Sequence, residues 1–274
     1  MRRFAVRFLV ILISVVFVAI GSGILWAWAA YRADGPSMQP NTIIIAKGAG
    51  VREIAAQLVS SGAIENEHLF ALGAIYNETA SRMRAGEFLL KPGMSIREIS
   101  HHLVNGKFVK RRLTIPEGLL TGEVVSLVAD TDGLVGDVPL DRPEGIYLPD
   151  TYFFIYGDTR LSILSRMKKA MDSALAEAWN ARARKIAIST PREALILASI
   201  IERETGVAVE RARVSSVFHN RLRLHMRLQS DPTVAYAVAG GGRPLGRPLT
   251  RVDMKIDSDY NTYRRVGMPP GPIA

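Results

Sequence analysis

Two glutamates, Glu202 and Glu204, close a run of uncharged residues from Ala194 to Ile201. The run starts with strong helix signals: Thr190 can cap the backbone, Pro191 suits the first helical position, and Glu193 completes a capping box. An uncharged run of this kind leaves a helix no solvent face, so the segment is expected at the centre of a domain. A carboxylate on the last turn of a buried helix is poorly solvated and lies near the negative end of the helix dipole. Both effects disfavour its charged form and raise its pKa. A glutamate that stays protonated near neutral pH can give its proton to a glycosidic oxygen. Residues two apart point to roughly opposite sides of a helix. One turn before Glu202 stand the small Ala198 and Ser199, and one turn before Glu204 stand Ile200 and Ile201. The small pair leaves room for a substrate, so Glu202 is expected to carry the chemistry. Glu204 is expected to bond Arg203, the following helix or a backbone group. The rival reading makes both glutamates surface residues where a buried helix emerges, and structural carboxylates outnumber catalytic ones.

Polar and aromatic residues further on suit a sugar, whose apolar faces stack on rings and whose hydroxyls bond amides. A helix carrying Val214, Val217, Phe218, Leu222 and Leu224 presents Asn220, and Gln229 precedes Asp231-Pro232-Thr233, which reads as a helix start capped by Asp231. Tyr260, Asn261 and Tyr263 occupy a loop before the rigid Gly267–Pro272 turn. With Glu204, these residues are the candidates for holding substrate. No metal and no cofactor is expected. Cysteine is absent, and the five histidines (His68, His101, His102, His219, His225) lack metalloprotease spacing. Gly240-Gly241-Gly242 lacks the lysine of a phosphate loop and reads as a flexible tip.

The elements that position these residues divide the chain. At 274 residues, 48% hydrophobic and 22% charged, it can bury a core and hold two modest domains. Phe8 to Tyr31 contains no charge, and a helix of that length reaches roughly 36 Å, enough to cross a bilayer. Arg2, Arg3 and Arg7 precede it and Trp26, Trp28 and Tyr31 end it, which places the bulk of the chain outside the cytoplasm. A cleaved signal peptide is the alternative, because Ala27-Trp28-Ala29 imitates a small-x-small site. The expected organisation is a tail (1–7), a transmembrane anchor (8–31), a linker (32–42), a repeat subdomain (43–140) and a catalytic domain (141–274). In the repeat, Gly48–Ala55 with Leu58-Val59 matches Gly93–Ser100 with Leu103-Val104, each copy following a short apolar run. Each reads as strand, glycine turn and amphipathic helix, and a weaker third copy begins at Ile115. Such a unit resembles the LysM module, which binds peptidoglycan or chitin, although generic scaffold of this shape is more common. Glu144–Phe154 reads as a turn into aromatic strand residues at a domain junction, and Leu161–Ala183 carries helical spacing. The fold class expected is α+β.

Several stretches together resemble the YceG-like family. They are Glu144-Gly145 with Pro149–Tyr152, Ala198–Thr205, Ser216–Leu222, Met226–Val234, Tyr260–Tyr263 and Gly267–Ile273, in family order and spacing. The resemblance implies a LysM-like subdomain, a mixed α+β catalytic domain, and Glu202 in the position of the catalytic glutamate. It also implies a short closing stretch after Pro272 that this sequence does not contain. The implied activity is endolytic lytic transglycosylation of peptidoglycan. Glu202 protonates the oxygen between N-acetylmuramic acid and N-acetylglucosamine, then as a carboxylate takes the C6 hydroxyl proton to give a 1,6-anhydro end. The rivals are a muramidase, with Asp231, Asp150 or Asp259 as second carboxylate, and a non-catalytic peptidoglycan-binding protein. The partners implied are glycan strands, membrane lipid through the anchor, and peptidoglycan synthesis proteins. The address implied is the inner membrane, single-pass, with the catalytic part outside. The net charge of +9 would suit nucleic acid, but an external address does not. Anionic lipid or the carboxylates of wall peptides fit better.

Overall fold

The computed structural model describes residues 2–138 and 142–274. The expected subdomain boundary at residues 140 and 141 and the side chains of Arg2 and Arg3 lie outside the described residues. Contacts divide the chain into two compact units, Met1–Lys110 with Ile155–Gly157, and Arg111–Phe154 with Asp158–Ala274. The architecture is mixed α+β, with small antiparallel sheets among helices.

The first unit opens with α1 (Arg2–Arg32), whose segment Arg7–Arg32 is long and apolar enough to cross a membrane. The expected linker is not loose. Gly35 N donates to Gly93 O (3.1 Å) and Gly93 N to Ser37 O (2.9 Å). A Cβ on Gly35 would fall 2.3 Å from the Met94 carbonyl oxygen, so only glycine permits this approach. Strand β1 (Asn41–Ile45) then pairs antiparallel with β2 (Gly86–Leu90), Asn41 opposite Leu90 and Ile45 opposite Gly86. Helices α2 (Val51–Ser60) and α3 (Glu67–Tyr76) lie between them in sequence, and α4 (Ile96–Asn105) follows. The two repeat copies are therefore β1–α2 and β2–α4, joined through their strands. Gly48 and Gly93 turn at φ +86° and +71°, where residues with a Cβ are strained. Ser95 and Glu98 form a reciprocal capping box that starts α4. Ile43, Ile45, Ile54, Leu58, Phe88 and Leu103 make the core. They come from alternate strand positions and one face of each helix.

In the second unit β3 (Arg111–Thr114), the turn at Gly118 and α5 (Thr121–Asp130) form the third strand–turn–helix. β3 does not join the β1–β2 sheet. It pairs antiparallel with β4 (Thr151–Phe154), Arg111 opposite Phe154 and Thr114 opposite Thr151. This pairing draws residues from 111 onward into the second unit, earlier than the sequence places the change. Helix α6 (Arg160–Asn180) buries Ile163, Leu164 and Met167 against Ile115, Val124, Val128 and Phe154. A second core gathers Ile196, Leu197 and Ile200 of α7 (Pro191–Glu204), Phe218 of α8 (Ala208–Arg223), Leu228 and Ile273. Helix α9 (Asp231–Ala239) ends at Gly240 in the left-handed conformation.

Candidate functional site

The cap that starts α7 matches expectation: Thr190 Oγ1 accepts from Glu193 N (3.1 Å) and Glu193 Oε2 from Thr190 N (3.2 Å). The helix is less enclosed than its composition suggests. Ala198 is exposed, while Ser199 and Ile200 are buried. Ala198 and Glu202 are one turn apart, so an open strip runs along α7 to the carboxylate. Ser199 does not leave space for a substrate. Its Oγ donates to Ile196 O (2.8 Å) and accepts from Ile273 N (3.0 Å), tying the helix to the Gly-Pro-Ile segment.

The Glu202 side chain is 26% exposed, and it has a cationic partner that the sequence reading missed. Arg211 Nη2 lies 3.0 Å from Glu202 Oε2 and 3.2 Å from Oε1, and the same nitrogen donates to Glu117 Oε2 at 2.9 Å. Glu202 is therefore not an isolated acid in an apolar seat. A short turn brings Arg211 there. Thr205 Oγ1 donates to Glu210 Oε2 (2.9 Å) and accepts from Val207 N (3.1 Å), so the first turn of α8 doubles back toward the end of α7. The Glu117-Gly118 turn packs on the other side: a Cβ on Gly118 would meet Glu202 Cγ at 3.7 Å, and Arg203 Nη1 donates to Gly118 O (3.0 Å). Spacing could have suggested Arg211, nine positions after Glu202, but nothing local predicts the pairing with Glu117.

Glu204 is exposed and its Oε1 accepts from Ser230 Oγ. Near it lie three of the six other predicted sugar-side residues, Gln229, Asp231 and Tyr263. Tyr263 OH donates to Asp231 Oδ1 (2.7 Å). That bond first, then burial and the nearby negative charges of Asp231 and Glu204, push the phenol up to about 12. Asp231 is the first residue of α9 and not its cap; Ser230 holds the capping position. Gln229 is exposed at φ +52°, an uncommon conformation outside glycine that is held here by Gln229 N donating to Thr262 O (3.1 Å). Ser230 N donates to Thr262 Oγ1 (3.0 Å), and Thr233 shares that hydroxyl (2.8 Å).

Other candidates lie elsewhere. Asn261 is fully buried, and its amide donates to Met254 O (3.1 Å) and Ile256 O (2.8 Å) and accepts from Tyr263 N (3.1 Å). That side chain braces the loop and offers nothing outward. Asn220 is exposed on α8 and makes no side-chain hydrogen bond among the described contacts. The Tyr260 and Tyr236 rings pack tilted at 45° with centroids 4.8 Å apart, and burial raises both phenols, Tyr236 to about 12. These two rings line a cavity of about 580 Å³ with Glu144, Arg142, Arg192 and the Gly240–Gly242 loop; Glu202 does not line it. The glycine loop is packed and not free: a Cβ on Gly122 would lie 2.3 Å from Gly242 O. Of the other carboxylates weighed beside Glu202, Asp150 Oδ1 accepts from Thr151 N (2.6 Å) and Asp259 faces Arg265 (3.4 Å). Among the described residues no group of three or more potential metal ligands comes together.

Fold and site together describe a mixed α+β protein with a carboxylate on the last turn of an apolar helix as its candidate site, and the chain is similar to known proteins. The model of the YceG-like family matches residues 43–274. An endolytic murein transglycosylase of Bacillus subtilis is 31% identical over 263 residues, covering 85% of this chain and 71% of that protein. One of Streptococcus pneumoniae is 27% identical, covering 88% of this chain, and the chain spans only 51% of that relative's length. The crystal structure of a YceG-like protein from Listeria monocytogenes superposes with a TM-score of 0.51 at 29% identity, covering 87% of each chain. The chain belongs to the YceG-like family.

Proposed function

We propose that this chain is an endolytic lytic transglycosylase of peptidoglycan, held in the membrane by α1 with its catalytic unit outside. The relatives carry the name endolytic murein transglycosylase. The observation that carries the reading is the place of Glu202, at the end of the apolar α7 beside the open strip at Ala198. For the chemistry Glu202 must exchange Arg211 for the glycosidic oxygen, while Glu117 keeps the guanidinium neutralised. The Glu202 proton passes to that oxygen as the bond from the muramic acid C1 breaks. The resulting carboxylate takes the C6 hydroxyl proton as O6 closes on C1, and the product is a 1,6-anhydro end. No water is consumed, so no second carboxylate has to activate one.

Gln229, Asp231 and Tyr263, grouped with Glu204, hold the strand in this reading, and Tyr260 serves through the neighbouring cavity. The antiparallel β1–β2 pair with α2 and α3 supports a LysM-like, glycan-binding role for the first unit. Peptidoglycan synthesis proteins are the natural neighbours of an enzyme acting on new strands.

One observation favours a hydrolytic alternative. Glu117 and Glu202 share Arg211 Nη2 at 2.9 and 3.0 Å, so their carboxylates stand within ~6 Å, close to the separation in retaining glycosidases. Mass spectrometry of sacculi digested by the wild type and Glu202→Gln tests both readings. Transglycosylation gives products one water lighter than hydrolysis, and they vanish with Glu202→Gln. Hydrated ends would establish the alternative, and unchanged products from the variant would remove Glu202 from the chemistry.

A further inference from the structure

Helix α3 breaks the usual rule for a surface helix, which keeps apolar residues inward and polar ones outward. Its buried residues are Phe70 and Ala74. On the outer side Leu72 is 66% exposed, Ile75 60% and Tyr76 88%, a contiguous patch at helical spacing. Scattered surface leucines need no explanation, but a joined apolar patch on a small unit marks a contact surface.

The patch has a fixed neighbour. The Tyr31 ring, one residue before the end of α1, lies against Gly73 of α3 so closely that a Cβ there would stand 2.2 Å from the ring. Asn77 Nδ2 donates to Tyr31 OH (3.3 Å). Helix α3 is thus clasped to the C-terminal end of the apolar span. Arg32 lies over the Trp28 ring at 4.0 Å, an arrangement suited to a membrane–water boundary.

Beside the clasp opens a cavity of about 1090 Å³ lined by Arg32, Arg82, Lys91 and Arg97. Asp34 and Glu98 are the carboxylates in its wall, and Glu98 is engaged in capping Ser95 (2.9 Å). Among the described residues none of the four cations forms an ion pair. Cations without an ion pair, next to an apolar patch at the end of a span, complement the anionic headgroups of a lipid surface.

We infer that α3 is a second membrane contact, with Leu72, Ile75 and Tyr76 set into the leaflet reached by the C-terminal end of α1 and anionic headgroups seated in the basic cavity. The inference rests on α1 spanning the bilayer, and the test separates the two. The chain has no cysteine, so an environment-sensitive label can be attached singly. Full-length Leu72→Cys, Ile75→Cys, Phe17→Cys (within α1) and Glu53→Cys (polar face of α2) are labelled. Each is reconstituted into phosphatidylcholine vesicles, with or without phosphatidylglycerol, containing headgroup-level or mid-chain nitroxide lipids.

Labels at 72 and 75 should be quenched several-fold more than the label at 53, chiefly by the headgroup-level nitroxide. The label at 17 should be quenched by the mid-chain one. If positions 72 and 75 behave like 53 while 17 is quenched, the span stands and the α3 contact is refuted. If 17 is unquenched, the spanning reading fails and takes the contact with it. Protection that rises with protein density per vesicle, without lipid quenching, means self-association and also overturns the inference. Arg82→Glu with Arg97→Glu should lower quenching at 75 in phosphatidylglycerol vesicles to the level in phosphatidylcholine alone. No change in that double variant would refute the headgroup part.

Discussion

Ser199→Ala offers a direct measure of how firmly the helix bearing Glu202 is tied to the end of the chain. In the native structure Ser199 and Ile273 are both buried, and the serine hydroxyl is the acceptor for Ile273 N at 3.0 Å. Alanine keeps the helix and nearly the same volume but leaves that N–H enclosed without a partner. An orphaned buried donor costs about 1–3 kcal/mol. At roughly 2–4 °C per kcal/mol for a domain of this size, the melting temperature should fall by about 2–12 °C. The assay is thermal and urea unfolding of the full chain in detergent, followed by circular dichroism. Ser216→Ala is the control, because among the described residues that exposed hydroxyl bonds only Arg213 O within its own helix, and such surface changes stay within about 0.5 kcal/mol. If Ser199→Ala melts no lower than Ser216→Ala, the tether is not holding the segment and the reasoning fails.

Glu202→Gln should lower turnover on purified sacculi by about 10²–10⁴-fold, the usual contribution of a general acid–base. Its melting temperature should stay within a few degrees of wild type, because the partly exposed Arg211 keeps Glu117; a large loss of stability would make the activity loss uninformative. Alkaline stability should report the Tyr263–Asp231 bond. The folded-state phenol is raised from 10.0 to about 12, so its stabilisation is complete below pH 10 and lost as pH rises toward 12. Tyr263→Phe should flatten urea-unfolding stability across that window, and an unchanged slope would contradict the bond. Acid stability should report His219, whose Nδ1 accepts from Ala187 N (3.2 Å) and whose pKa burial pushes below 6.5. The unfolded chain binds that proton first, so stability should drop as pH falls below 6.5, and less steeply in His219→Gln. Gly122→Ala places a methyl group 2.3 Å from Gly242 O, and the resulting shift should cost about 1–3 kcal/mol in the same unfolding assay.

Parts of both units were legible because local rules acted alone. The Thr190–Glu193 cap and the uncharged run fixed α7 and put Glu202 on its last turn, since capping and burial depend on neighbouring residues. The repeat glycines at 48 and 93 announced turns for the same reason. Legibility stopped where a partner lay far along the chain. Nothing near Glu202 foretold that Glu117 would share Arg211 with it, or that Ser199 would serve Ile273. Asn261 looked like a free amide and became a buried brace, because hydrogen-bond satisfaction is decided by which carbonyls the loop encloses.

The sequence by itself determined the apolar span, the cap of α7, the repeat turns and the place of Glu202 on the last turn of α7, because each follows from the order of residues within a few turns. Only the tertiary structure decided what stands beside that acid. It also decided which polar side chains face outward and that the outer face of α3 remains bare, because those outcomes depend on contacts between segments far apart in the chain.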